Sequence, residues 1–379
     1  MLFGLSEEHV ALRETARAFA AERLAPHALD WDARKHFPVE VMREAAALGM
    51  GGLYVREDVG GSGLTRLDAA VVFEALSLGC PTVAAFLSIH NMASWMIDAY
   101  GDDDQRRRWL PGLSTMERIA SYALTEPGSG SDAAALRTRA RLDGDHYVLD
   151  GAKQFISGAG AADLYVVMVR TGADGPKGIS TLVVPGETPG VSFGANERKM
   201  GWNAQPTRLV SFEGARVPVE NRLGAEGLGF KIAMAGLDGG RLNISACSLG
   251  GAQAALDKAL AYMRERRAFG QRLDAFQALQ FRLADMATEL EAARTLVYAA
   301  AAAYDRGDAD ATVRCAMAKR FATDVGFEVA NGALQLHGGY GYLAEYGVEK
   351  IVRDLRVHQI LEGTNEIMRL IVARTLANR

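Results

Sequence analysis

The chain has 379 residues, 49% hydrophobic and 23% charged, which suits two or three domains of ~150 residues with a large core. Its 42 basic and 46 acidic side chains leave a formal charge of −4, which excludes a broadly basic nucleic-acid scaffold but leaves room for a small phosphate site. Cys80, Cys247 and Cys315 are too few and too scattered for a disulfide framework and lack zinc-ligand spacing, so a reducing, intracellular setting is expected.

Residues 1–117 read as helical. Glu7, Glu8, Arg13, Glu14 and Arg17 interrupt the apolar residues of the first twenty, as in a surface helix rather than a signal peptide. Ser6 is a cap candidate before the periodic Val10, Leu12, Ala16 and Phe19. Pro38 precedes Val41, Met42 and Ala45 as at a helix start. Gly60 to Gly63 is a loop. Ala75 to Ile97 is uncharged and long enough for a membrane span. Its Pro81, Thr82, Ser88, His90, Asn91 and Ser94 favour a buried core helix instead.

Residues 118–225 read as strands. Leu164–Val169 and Ser180–Val184 are β-branched runs bounded by Gly and Pro, and Thr207–Phe212 alternates polar and apolar. No helical pattern separates them, so an antiparallel barrel or sandwich is favoured over a parallel sheet. Residues 226–379 contain no proline, which suits long helices because an interior proline costs about 3 kcal/mol. Breaks near Phe269–Gly270, Arg306–Asp308 and His337–Gly341 divide this part into three or four helices of an antiparallel bundle.

Four motifs carry chemistry, each beside a plainer reading. Gly128 to Ala133 fits G-x-G-x-x-A, but strands follow it instead of the helix a dinucleotide fingerprint needs. The loop Leu124 to Asp132 is either a surface turn or a run of free backbone N–H groups for a cofactor or anion. Arg264, Arg266 and Arg267 either cap a helix C-terminus or hold a pyrophosphate. Gln335 to Tyr342 is glycine-dense, as at a helix end or beside something bound, and lone His337 has no partner at metal-ligand spacing. Glu362, among apolar residues and beside Gly363, is either a charge at a helix start or a base in a pocket.

Together and in order, these segments resemble the acyl-CoA dehydrogenase family of flavoenzymes. The matching pieces are Tyr122–Asp132, Phe155–Gly158, Arg266–Gly270, Gln335–Gly341 and Glu362–Thr364, and the resemblance covers essentially the whole chain. It implies an α+β multidomain fold: an N-terminal helical domain, a middle antiparallel β-barrel and a C-terminal four-helix bundle, around FAD and usually in a homotetramer. Within the family, Val59–Asp68, Ser88–Ile97, Gly201–Arg208 and His358–Arg369 resemble a member acting on a short branched-chain acyl-CoA, isobutyryl-CoA of valine breakdown foremost. Straight short-chain and 2-methyl-branched substrates are the alternatives.

The resemblance makes Glu362 the catalytic base. Some relatives place it on an earlier helix just before an arginine. Here Gly240 stands before Arg241, which leaves Asp238 as the alternative. Asp238, Gly239, Gly240, Arg241, Ser131, Gly363 and Arg374 would contact the acyl-CoA. For FAD, the resemblance implies Tyr122, Leu124, Thr125, Gly130 and Ser131, with Phe155, Ile156 and Ser157 on the ring's other side. Many relatives have Trp in place of Phe155. Arg266, Phe269, Phe276, Gln277, Gln335, Leu336, His337, Gly338 and Gly339 would reach FAD across a subunit boundary, and Thr364 and Glu366 would complete the site.

The implied chemistry removes an α-proton to Glu362 and a β-hydride to flavin. Burial beside an apolar acyl chain raises a glutamate's pKa into a useful range. The implied electron acceptor is electron transfer flavoprotein, with no nucleic-acid or membrane partner. A bacterial cytoplasm, or a mitochondrial matrix for a trimmed eukaryotic chain, is the expected location. An oxidase of the same fold would make peroxide, and a non-catalytic DNA-associated member would need a basic surface or a lost base.

Overall fold

The computed structural model describes residues 5–377. The outer limits of the first and third segments, residues 1–4 and 378–379, lie outside the described residues. The N-terminal part holds α1 (Glu7–Phe19), α2 (Ala28–Arg34), α3 (Val39–Ala47), α4 (Arg66–Ser77), α5 (Pro81–Tyr100) and α6 (Asp103–Ser114). Ser6 caps α1, its hydroxyl accepting from the His9 N–H while the His9 ring closes a capping box. Thr65 with Asp68 and Asp102 with Gln105 do the same for α4 and α6. The uncharged stretch is two helices rather than one. It breaks at Leu78–Cys80, and Pro81 opens α5, where its missing N–H costs nothing. Most of α5 is buried, as its composition requires.

The middle part holds β1 (Ala120–Ala123), β2 (Arg139–Asp143), β3 (His146–Ser157), β4 (Leu164–Arg170), β5 (Ile179–Pro185), β6 (Val191–Phe193), β7 (Thr207–Pro218) and β8 (Arg222–Leu223). The expected closed antiparallel barrel is corrected here to an open, mixed sheet. Its order is β6-β7-β3-β2-β4-β5-β8, with β1 also beside β4. A barrel needs unbroken pairing around its circumference, and the end strands β6 and β8 do not pair with each other. Two of its pairings, β1 with β4 and β2 with β4, are parallel. The second is a single residue pair, Arg139 with Arg170, so the sheet is two halves joined at a corner. Register shifts at Leu149/Asp150 and Lys153/Ile156 bend β3 away from a regular course. Helices cover one face of the central strands, and the sheet folds back on itself over the other. α5 and α7 both pack on the face of β4 that carries Leu164, Val166 and Met168, while Tyr165 on its other face meets Phe193 of β6 at 5.4 Å, so β4 is buried on both faces.

The C-terminal part holds α7 (Gly229–Glu265), a hairpin of β9 (Arg267–Ala268) and β10 (Gln271–Arg272), then α8 (Gln277–Asp305), α9 (Ala311–His337), α10 (Val348–Arg356) and α11 (Asn365–Ala377). The three long helices pack on one another and α11 packs on α9, with the breaks where the sequence placed them. α4 crosses α7 so closely that a Cβ on Gly250 would lie 2.0 Å from the Glu74 carbonyl oxygen. The N- and C-terminal helices therefore share one core. Among the described residues no helix is long and apolar enough to cross a membrane.

The three parts meet at α10. The Asp354 carboxylate is fully buried and accepts from Lys350 Nζ (2.6 Å), Thr82 Oγ1 (2.9 Å) and the Trp202 backbone N–H (2.7 Å). Burial disfavours the Lys350 ammonium, but Asp354 beside it holds its pKa above the ordinary lysine value. Arg353 reaches Asp32 (2.8 Å) and the Met200 carbonyl oxygen (3.1 Å). Asp354→Asn leaves the Lys350 charge buried without its counter-ion. Breaking such a pair costs about 3–5 kcal/mol, so the variant is expected to melt several degrees below the wild type by calorimetry. An unchanged melting temperature contradicts this role.

Candidate active site

Glu362 sits in the turn between α10 and α11. Its φ is +55°, a region that non-glycine residues occupy at a cost of order 1–3 kcal/mol unless the surroundings hold them there. Three contacts do so. Lys319 on α9 donates to the Gly363 carbonyl oxygen (2.8 Å) and to Asn365 Oδ1 (2.9 Å). Arg241 Nε donates to the Glu362 carbonyl oxygen (3.4 Å). The Thr364 hydroxyl accepts from the Ile367 N–H (3.3 Å) and so starts α11. Gly363, at φ +92°, has no room for a side chain, since its Cβ would meet Met368 Cε at 2.6 Å.

The residue as a whole is half-buried, but Glu362 Oε2 is sealed from solvent and has no hydrogen-bond partner. It lies over Gly240 of α7, where a Cβ would come within 2.7 Å of it and 2.9 Å of Met92 Sδ. Burial pushes the Glu362 carboxyl up to about 7, and the Lys319 and Arg241 cations only partly offset that. Tyr122 adds a second orphan, a buried hydroxyl with no partner. Burial, and then the Glu362 charge, raise its pKa. Two unpartnered buried polar groups in one cleft suit a bound molecule with polar atoms of its own.

Asp238 is engaged differently. Its Oδ1 accepts from Arg241 Nη1 (2.5 Å) and its Oδ2 from Thr312 Oγ1 (2.7 Å). It orients Arg241, whereas Glu362 keeps an unbonded oxygen. Of the two candidate bases, the geometry favours Glu362.

The first group of cofactor candidates comes together in space. The Gln154 N–H donates to the Thr125 carbonyl oxygen (2.8 Å), and Ser121 Oγ donates to the Ser157 carbonyl oxygen (2.5 Å). Tyr122, Leu124 and Thr125 thus lie beside Phe155, Ile156 and Ser157. Phe155 occupies the β3 bulge at φ +59° and is 64% exposed, whereas Ile156 is buried. A strained, exposed aromatic residue is a mark of function. Beneath the loop, fully buried Lys153 donates to the Leu124 carbonyl oxygen (3.1 Å) and to Glu126 Oε1 (2.7 Å). Glu126 also accepts from the Arg137 (2.6 Å) and Thr138 (2.9 Å) N–H groups. Burial draws Lys153 down to about 8 against the pull of Glu126. Gly130 and Ser131 are exposed at the loop's far side, and a Cβ on Gly128 or Gly130 would meet nothing within 4 Å. An aromatic platform, an orphan hydroxyl and an open glycine loop fit a flat ring carrying phosphates. Glu366 is exposed and pairs with Arg369 (3.4 Å).

The second group gathers elsewhere. Tyr262, Arg266, Gln335, His337 and Gly339 line a cavity of about 520 Å³. There His337 stacks on Tyr262 at 4.6 Å and Arg266 lies over Tyr340 at 5.4 Å. His337 Nδ1 bonds the Ala333 carbonyl oxygen (2.8 Å), and burial lowers its pKa. Among the described residues no group of His, Cys, Asp and Glu is placed to hold a metal ion. Phe269, 96% exposed, meets Phe276 edge to face at 6.3 Å, just before the exposed Gln277. From Gly240 to Arg266 along α7 is roughly 39 Å at 1.5 Å per residue, so one chain does not bring this group to Glu362. Arg374 is exposed, roughly 13 Å along α11 from Asn365 by the same rise.

Lys319, Asn365, Met92 and the Lys153–Glu126 pair were missed by sequence reasoning. Lys319 left a signal. It is a lone cation on the otherwise small and apolar face of Cys315, Ala316, Ala318 and Ala322.

Residues 6–117 match the N-terminal domain of acyl-CoA dehydrogenases, residues 121–215 the middle domain and residues 227–377 the C-terminal domain. The chain belongs to the acyl-CoA dehydrogenase family, whose members bind FAD. It is 56% identical to the mitochondrial isobutyryl-CoA dehydrogenase of Bos taurus, over 98% of this chain and 90% of that protein. The butyryl-CoA dehydrogenase structure from Megasphaera elsdenii superposes with a TM-score of 0.96 at 38% identity, covering 99% of each chain. A structure of PigA with FAD and proline superposes with a TM-score of 0.96 at 30% identity, covering 99% of each chain.

Glu362 also makes a stability prediction. Its carboxyl titrates near 7 when folded and near 4.3 when unfolded. Between those values the unfolded chain gives up a proton that the folded chain keeps, so this group's contribution declines as pH rises through 7. Glu362→Gln removes the titration. Its melting temperature relative to wild type is expected to climb from pH 5 to pH 8. A pH-independent difference contradicts the buried, raised carboxyl.

Proposed function

We propose that the chain oxidises a short branched-chain acyl-CoA, isobutyryl-CoA to methacrylyl-CoA in valine breakdown, with Glu362 taking the α-proton. The observation that carries this is the unbonded, buried Oε2 of Glu362, titrating near neutral pH above a glycine of α7. A carboxylate in water is too weak a base for an α-proton, and desolvation strengthens it. The 56% identity to an isobutyryl-CoA dehydrogenase supports the choice of acyl group. FAD, when bound, accepts the β-hydride. Phe155, Ile156 and Ser157 would flank its ring on one side, with Tyr122, Leu124 and Thr125 against the other.

The chain's own residues do the rest. Lys319 and Arg241 keep the Glu362 turn in place, and Asp238 keeps Arg241 in place. The Glu362 N–H is the donor toward the thioester oxygen as negative charge builds there, a contact worth about 3 kcal/mol in comparable sites. Met92 and the glycines of α7 shape a dry cleft around the reacting carbons. Ser131, Gly363 and Arg374 contact the CoA portion, and Thr364 and Glu366 complete the cofactor site.

The residues around Arg266, Phe276 and Gln335 serve the FAD of a neighbouring copy in a homotetramer. The distance along α7 supports this, because that cluster is too far from its own Glu362. Electron transfer flavoprotein is the acceptor, in a bacterial cytoplasm or a mitochondrial matrix.

The test is to record the visible spectrum and add isobutyryl-CoA without oxygen. The flavin band is expected to bleach, more readily than with butyryl-, 2-methylbutyryl- or isovaleryl-CoA. Glu362→Gln should keep its FAD and lose roughly 10²–10⁴-fold in turnover, the span of a general base. Full activity in that variant removes Glu362 from the role. In the wild type, kcat/KM is expected to rise with pH through about 7 as Glu362 ionises. Lys319→Met takes away a cation that lowers that pKa. Its acid limb should move to higher pH, and an unmoved limb contradicts the coupling.

A further inference from the structure

Arg66, at the start of α4, is a buried cation with no counter-ion. It is 3% exposed, and neither Nη1 nor Nη2 has a hydrogen-bond partner. Three aromatic rings surround it, with centroids 3.6 Å (Tyr54), 4.7 Å (Trp95) and 5.6 Å (Tyr304) from its Cζ. Asp305 is close by, but its oxygens accept from the Arg66 (2.8 Å) and Leu67 (3.0 Å) backbone N–H groups rather than from the guanidinium. Ring faces compensate a buried guanidinium without an anion. They leave its N–H edge facing whatever occupies the space beyond.

The guanidinium adjoins the cleft of Glu362. Gly239 and Gly240 are successive residues of α7. A Cβ on Gly240 would strike Glu362 Oε2 at 2.7 Å, and one on Gly239 would strike Arg66 Nη1 at 2.6 Å. Opposite them on α5, Met92 faces Gly240 and Trp95, one turn on, stacks with Arg66. The Tyr54 hydroxyl, held by Asn243 Nδ2 (2.9 Å), feels both the Arg66 and the Glu362 charge. The two glycines thus let a buried carboxyl and a buried guanidinium lie side by side against α7.

We infer that Arg66 is a specificity-determining residue that ends the acyl cavity with a polar stop, admitting a group of about four carbons and penalising a longer apolar chain. This rests on the acyl-CoA dehydrogenase reading of the same cleft. A short acyl group ends before the guanidinium and leaves it in place. A longer chain must press into the space the guanidinium fills over Gly239, and its apolar end supplies no acceptor for the two N–H donors there.

The test compares kcat/KM for isobutyryl-, butyryl-, hexanoyl- and octanoyl-CoA in wild type, Arg66→Lys and Arg66→Met, each checked for FAD content. In Arg66→Met the hexanoyl-to-isobutyryl ratio is expected to rise about tenfold or more, mainly through KM, the scale of one or two methylenes in a fitted pocket. Arg66→Lys, which keeps a cation there, should stay near the wild-type ratio. An unchanged ratio in folded, FAD-loaded Arg66→Met overturns the inference. So does tighter wild-type binding of succinyl-CoA than butyryl-CoA, which would make Arg66 the receptor for a second carboxylate. If Arg66→Met does not fold, wild-type affinities for unreactive four- and six-carbon CoA thioethers decide, and equal affinities overturn it. A wild type that no acyl-CoA bleaches defeats the dehydrogenase reading itself, a distinct failure.

Discussion

The Asp354 carboxylate is the joint on which the rest depends. It is buried where three chain segments meet, and it binds Lys350 on its own helix, Thr82 at the start of α5 and the backbone of Trp202 after the sheet. A buried carboxylate is tolerated only when its oxygens are satisfied, so the three partners must arrive together. Trp202 reaches it in a left-handed conformation (φ +56°), and Gly201 before it packs against the Arg353 carbonyl. Four residues beyond Asp354, His358 accepts from Trp202 Nε1 (3.3 Å) and meets Ser248 Oγ (2.7 Å). The segment leading to Glu362 is therefore fixed to the sheet and to α7 before the Glu362 turn begins.

Within that frame the cleft is balanced by unequal electrostatic effects. Desolvation drives Glu362 toward its protonated form, and two cations pull it back without winning. Both cations also touch the turn's backbone. Lys319 holds the Gly363 carbonyl and Arg241 holds that of Glu362. The groups that tune the Glu362 carboxyl are thus the groups that position it. Arg66 of α4 lies over Gly239, the residue of α7 before Gly240, and there aromatic faces stand in for an anion. The closely packed α4–α7 crossing at Gly250 brings the N-terminal helix that carries Arg66 onto the C-terminal helix that carries Arg241.

The sheet contributes edges and loops rather than a closed wall. Because β4 is shared between β1 and β2, the end of β1 emerges beside the bulge of β3, where Phe155 projects. Lys153 and Glu126 tie the loop after β1 to β3 from below. Two of the left-handed positions lie here, the exposed Phe155, beside the Gln154 N–H bond to the Thr125 carbonyl oxygen, and Glu362, whose turn Lys319 and Arg241 hold.

Much of this was legible one segment at a time. Periodicity and proline placement marked the helical ends and the strand-rich middle. Ser6, Pro38 and the glycines after Arg306 and His337 marked element limits, because caps and breakers act within a few residues. The family motifs pointed to Glu362 and to the loops at Tyr122 and Phe155. The sequence could not show the open sheet, since β4 pairs β1 and β2 through contacts distant along the chain. Nor could it rank Glu362 over Asp238 on geometry, because that rests on Thr312, Arg241 and Lys319 arriving from other helices. Arg66 and Asp354 look like ordinary surface charges in a one-dimensional reading. Local residue patterns determine which elements form. Which charges are buried, and against what, only the tertiary structure decides, because desolvation and pairing are set by neighbours far away in sequence.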